Sequence, residues 1–173
     1  FRSDRERHSV ALHEACHAVT MYRLQHNSVI DVATIERRGD VGGFVSPIPL
    51  EDRFVQWKSE VDTDVVTFIA SLAGEQLFYD GDHTQGVGGD MAAATSLVTR
   101  GMLSHAMGPT LRAINASSVA NSGLILNGMP LVQGLSMEGE IAEAIEDRLQ
   151  DLYKQAVAVL KKNRAAVDRK STR

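Results

Sequence analysis

His13-Glu14-Ala15-Cys16-His17 is the stretch on which the reading of this chain turns. It lies within a run from about Ser3 to His26 whose composition and spacing predict a helix. Residues four apart on a helix share one face, so the imidazoles of His13 and His17 can converge on a single ion. Glu14 is one step round from His13, off that face but able to lean over its open side, where a base is needed. A cation held by two neutral imidazoles and a carboxylate keeps a position for water and lowers the pKa of that water. The glutamate then accepts a proton as a carbonyl is attacked, which is chemistry suited to peptide hydrolysis. The plain alternative is a helix with two surface histidines beside an ordinary glutamate. Against it stand Val10, Leu12, Ala15, Cys16, Ala18, Val19 and Tyr22, which predict a largely buried helix. Buried histidines need partners, and a metal is one way to supply them.

At 173 residues the chain suits a single domain, and a hydrophobic content of 43% is enough for a core. A net charge of −4 argues against a nucleic-acid binder, which would carry a basic face. No apolar run approaches the roughly 18 residues needed to span a bilayer. One cysteine cannot close an internal disulfide, which favours a reducing compartment. The chain opens on Phe1 rather than Met, so it reads as a piece of a longer polypeptide on the cytoplasmic side, any membrane anchor lying outside it.

Ser3-Asp4-Arg5-Glu6 fits a capping box and starts the first helix. Ser28 to Arg37 is β-branched and partly alternating, and predicts a strand. Arg38-Gly39-Asp40 would turn the chain, and Gly42 to Ser46 would return as a second strand stopped by Pro47 and Pro49. Such an edge strand could pair with an extended substrate; a glycine-softened hairpin without that role reads equally well. From Phe54 to Tyr79, Val61, Val65, Phe68, Ile69, Leu72, Ala73 and Leu77 follow helical spacing, ending near Asp80-Gly81. A glycine-rich loop, Gly81 to Gly89, leads through Asp90 into a helix from Met91 to Met102. Thr110 to Gly134 reads as irregular, and Ser136 to about Asn163 as a long amphipathic helix.

Two histidines do not complete a catalytic metal site, and the third ligand sets the class. The pattern H-E-x-x-H-x-x-G-x-x-H is excluded, because Thr20 and Arg23 stand where it needs glycine and histidine. Glu36 lies 19 positions after His17 but in a strand-like run rather than a helix. Asp90 is the better candidate, at a helix start where aspartate would also serve as N-cap. Glu75 would accept a histidine N–H and so fix its tautomer, or would simply be a surface acid.

Val10-Ala11-Leu12-His13-Glu14-Ala15-Cys16-His17-Ala18-Val19 resembles the zinc helix of the FtsH-type (M41) membrane-linked ATP-dependent metalloproteases. Val32 to Arg38, Gly43-Phe44 and Pro49 to Arg53 are similar to that family's strand pair and acidic turn. Ala73 to Tyr79, Gly89-Asp90-Met91 with Ala94-Thr95, and Gly101-Met102 to Gly108-Pro109 follow in the same order. The resemblance covers most of the chain except about residues 110–135. It implies a mainly α fold with a small β-hairpin or edge sheet, Zn2+ on His13, His17 and Asp90, and Glu14 as base. It also implies a polypeptide substrate paired along Gly43, Phe44 and Val45, and a hexameric homo-oligomer beneath an ATPase ring. This chain has no G-x-x-x-x-G-K-[ST], so any ATPase would belong to another domain or subunit. Cys16 stands where the family usually has glycine, and reads as a small buried hydrophobe. Gln85 to Gly89 replaces the family's Thr- and Asn-bearing loop, and Gln76 one of its paired acids. The competing reading is therefore an inactive or regulatory scaffold that binds zinc and oligomerises.

Overall fold

The computed structural model describes residues 3–36, 42–52, 54–111, 113, 125–126, 129–130 and 138–172. It is mainly α with a small hairpin. The order is α1 (Asp4–Leu24), β1 (Ser28–Thr34), β2 (Phe44–Pro49), α2 (Lys58–Phe78), α3 (Gly88–Ser104), two short strands β3 (Ile125–Leu126) and β4 (Met129–Pro130), α4 (Glu138–Lys162) and α5 (Arg164–Ser171).

α1 begins where the Ser3 hydroxyl accepts the Glu6 N–H at 3.2 Å. Its middle is buried through Leu12, Ala15, Cys16, Val19 and Met21. Tyr22, expected inside, is 73% exposed, because it lies off the stripe that meets α2. α2 starts later than its apolar pattern suggests, at Lys58, where the Glu60 carboxylate accepts the Trp57 N–H at 2.8 Å. It ends where Asp80 and Gly81 take φ of 53° and 93°, the left-handed turn that glycine accommodates best.

α2 is the central helix, in contact with α1, α3 and α4. Val65, Val66, Ile69, Ala70 and Ala73 meet Ala94 and Val98 of α3, the Leu152-Ala156-Leu160 stripe of α4, and Val167 of α5 in one core. Fully buried Ile69, Leu152 and Leu160 contribute about 1.5–3 kcal/mol each. At the rim, Arg148 of α4 pairs with Asp62 of α2. The expected long C-terminal helix ends at Lys162, as its pattern predicts, and the Asn163 side-chain amide caps the Val159 carbonyl at 2.8 Å. A further helix, α5, follows and packs back on α1.

β1 and β2 pair antiparallel, with Thr34 opposite Phe44 and Ser28 opposite Pro49. β1 stops short of the expected Arg37, and the Glu36 N–H turns to the Thr34 hydroxyl at 3.0 Å. β2 is not stopped by its prolines but runs through both. The Leu50 N–H donates to the Asn27 carbonyl at 2.9 Å, so even-numbered residues of β2 face β1 and odd-numbered ones face the side unpaired among the described residues. Pro47 and Pro49 therefore aim their donor-less nitrogens outward, where no ladder bond is lost. Within β2, Val45 keeps the only outward N–H. The expected turn at residues 38–40 and most of the irregular segment 110–134 lie outside the described residues; the β3–β4 pair interrupts the latter.

One close helix contact is a thiol in a notch. A Cβ added at Gly74 of α2 would stand 2.1 Å from Cys16 Sγ and 3.0 Å from its Cβ. Gly74→Ala should therefore cost about 1–3 kcal/mol in urea unfolding through overpacking. The loss should shrink when Cys16→Gly is present, and an equal loss in both backgrounds would reject the notch as its cause.

Candidate metal centre

α1 and α2 run antiparallel, so early residues of one face late residues of the other. His13 meets Glu75, and His17 meets Thr67 one turn and a little more along. The His13 Nδ1–H donates to Glu75 Oε1 at 2.9 Å, and the His17 Nδ1–H donates to the Thr67 carbonyl at 2.8 Å. Both acceptors can only accept, which assigns the proton to Nδ1 in each neutral ring. Each Nε2 is then a bare lone pair, and the two lie 3.2 Å apart.

Asp90 arrives from α3. Its Oδ2 lies 3.0 Å from His13 Nε2 and 3.1 Å from His17 Nε2. The same oxygen accepts the Ser71 hydroxyl at 2.8 Å. Asp90 is not the N-cap expected of it: α3 already begins at Gly88, out of a 3-10 turn over Gln85–Val87, so Asp90 is its third residue. Among the described residues, His13, His17 and Asp90 form the one group of acid, thiol or imidazole side chains close enough to share an ion. Their donor atoms are all acceptors, which repel unless a cation or protons sit among them. Ligands about 2.0–2.1 Å from a tetrahedral Zn2+ stand about 3.3 Å from one another. The observed separations of 3.0–3.2 Å fit that spacing closely.

Three carboxylates surround the imidazoles, and hydrogen bonding sets them apart. Burial alone would raise the Asp90 carboxyl, but the two imidazoles, when they carry a second proton on Nε2, and the Ser71 hydroxyl outweigh it and hold it well below the usual range. Glu75 is 1% exposed. Burial pushes its carboxyl up, yet His13 and the Thr84 N–H (2.6 Å) and hydroxyl (3.2 Å) bring it below its ordinary value. Glu14 has no hydrogen-bond partner among the described residues, and burial raises its pKa despite the neighbouring histidines. For His13, burial favours the neutral ring, but bonds to Asp90 and Glu75 and the charges of Asp90 and Glu14 win and raise it to about 9. The pocket thus favours positive charge. Burial pushes the Cys16 thiol up to about 12, leaving it protonated and turned to Gly74 rather than to the centre.

Gly43 lies against Glu14, and Phe44 and Val45 continue from it as the half-buried start of β2. Glu36 is exposed beyond β1 and outside the group. Thr67, Ser71 and Thr84 escaped the reading of the sequence. Ser71 had a signal: it stands four residues before Glu75 within the largely apolar run 65–75, on the face of α2 that meets the histidines of α1; Thr67 acts through its backbone carbonyl. Thr84 had none.

A family model described as peptidase family M41 matches residues 1–172. An ATP-dependent zinc metalloprotease FtsH 2 from Sphaerobacter thermophilus is 35% identical over 67% of this chain and 19% of its own length. An ATP-dependent zinc metalloprotease FtsH from Magnetococcus marinus is 30% identical over 91% of the chain and 24% of its own length. The protein of that name from Bacillus subtilis is 26% identical over 94% and 26%. The chain therefore spans about a quarter or less of the length of these relatives.

Glu75→Gln preserves side-chain size but leaves one oxygen for which His13 and the Thr84 N–H must compete. Affinity for Zn2+, read by competition with a chromophoric chelator, should fall about 10–100-fold. Unchanged affinity would leave Glu75 no part in orienting His13.

Proposed function

Because this chain belongs to peptidase family M41, we propose that it is a zinc-dependent endopeptidase acting on unfolded or membrane-derived polypeptides. It is one peptidase unit, the proteolytic module of an ATP-driven machine whose ATPase lies outside these 173 residues. The observation that carries the reading is the convergence of three acceptors, two Nε2 lone pairs and Asp90 Oδ2, within 3.0–3.2 Å. In it His13, His17 and Asp90 are the ligands, and zinc bound there supplies Lewis acidity to a peptide carbonyl and to an attacking water.

The remaining steps belong to the chain. Glu14 takes the proton of the attacking water and returns it to the leaving amine. Its want of hydrogen-bond donors among the described residues and its raised pKa suit both halves of that exchange. Glu75 and the Thr67 carbonyl hold the two imidazoles in one tautomer, and the Ser71 hydroxyl steadies the Asp90 oxygen. The substrate backbone pairs with the free side of β2 at Val45, beside Gly43 and Phe44. Self-association into a hexamer is supported by apolar residues left exposed after β2: Leu50, Phe54, Val55 and Trp57.

The competing reading, a zinc-binding scaffold without protease activity, draws on Cys16 and the altered loop before Asp90. A buried carboxylate lowers stability unless hydrogen bonds offset its burial, and among the described residues Glu14 has none, a state from which a scaffold gains nothing. Glu14→Gln decides between them. It should keep zinc while cleavage of unfolded casein drops about 10²–10⁴-fold, whereas Asp90→Ala should lose zinc itself. Equal cleavage by wild type and Glu14→Gln would reject the base, and undiminished zinc in Asp90→Ala would reject the third ligand.

A further inference from the structure

We propose that Gly43 is a positioning residue for Glu14: its missing side chain is the space in which the glutamate carboxylate rests. The proposal rests on the reading of Glu14 as general base. Gly43 is buried. A Cβ built on it would stand 2.9 Å from both Cγ and Oε1 of Glu14, and 2.8 Å from the Thr34 carbonyl oxygen. Carbon atoms do not approach so closely, so any side chain here must displace something.

The backbone at this point is not free to retreat. Phe44, the next residue, is paired with Thr34 across the hairpin, so Gly43 is held at a fixed distance from β1. Glu14 in turn springs from the buried middle of α1. Its last torsion is broad and roughly two-fold, and among the described residues no hydrogen bond fixes the carboxylate. Asp90 and Glu75 are aimed by donors; among the described residues Glu14 is aimed by packing, and the flat backbone of Gly43 is the wall it packs on. A base must reach its proton within about 2.6–3.2 Å, and a shift of about 1 Å can cost about 100-fold in rate.

The two close approaches differ in kind. The Thr34 oxygen is backbone, so crowding it strains the hairpin whatever stands at position 14. Glu14 Oε1 is the end of a flexible side chain, so crowding it turns the carboxylate aside. Only the second depends on Glu14, and a double-mutant cycle separates them.

The test compares Gly43→Ala, Glu14→Ala and the pair by thermal unfolding of the zinc-saturated chain. A parallel cycle with Glu14→Asp, whose shorter side chain withdraws from Gly43, is read by kcat and KM on a peptide. Gly43→Ala should lower Tm, and at least half of that drop should vanish in the Glu14→Ala background. It should lower kcat about 100-fold with KM and zinc content unchanged, and lower kcat much less when Glu14→Asp is present. Folding of the double variant where Gly43→Ala alone fails would be the same coupling in stronger form. Additivity in both cycles, loss of zinc from Gly43→Ala, or failure of both variants to fold would put the cost on the hairpin and overturn the proposal. Coupling in Tm together with full activity of Glu14→Gln would keep the contact and remove the base, so the two readings fail separately.

Discussion

Everything at the centre depends on two hydrogen bonds that point away from it. By giving their Nδ1 protons to Glu75 and to the Thr67 carbonyl, His13 and His17 turn bare lone pairs toward each other. Both acceptors lie on α2, so the chemistry of α1 is set by the register in which the helices pack. That register is held by the shared core, including the interlock of Cys16 with Gly74. A slip of one residue would rotate both acceptors off the imidazoles. The paired lone pairs of the pentapeptide are thus a property of a helix pair.

The three carboxylates show how one pocket keeps like groups in unlike states. Each is wholly or partly buried, and burial alone would raise all three. Hydrogen bonds and neighbouring imidazoles reverse that for Asp90 and Glu75, while Glu14, with no donor among the described residues, stays raised. Supplying or withholding hydrogen bonds is the usual means by which neighbouring acids take different tasks. Here the two acids nearest the imidazoles stay ionised, while the third is left receptive to a proton.

What the amino-acid pattern discloses is governed by range. His13, Glu14 and His17 are legible because four-residue spacing is a local property of one helix. Asp90 and Glu75 are suggested by their settings, but only the packing of α1, α2 and α3 brings them to the imidazoles. The Thr67 contribution is a backbone carbonyl, which no side-chain pattern can advertise. Tyr22 misleads because apolar content was read without its angle round the helix. Pro47 and Pro49 mislead because proline disfavours strands only where its nitrogen faces a partner. α5 is eight residues long with its apolar residues, Ala165 to Val167, in one consecutive run, and offers too little periodicity to stand out.

Those prolines have one more consequence. Unpaired strand rims present alternating donors and acceptors that invite another copy of the same strand, and such adhesion grows with every rung. Along β2 the outward carbonyls at Val45, Pro47 and Pro49 remain, but two of the three amide protons are gone. A visiting strand would find a ladder with most of its rungs missing. Among the described residues that rim pairs with no other strand, and its missing rungs keep it from becoming a seed for aggregation.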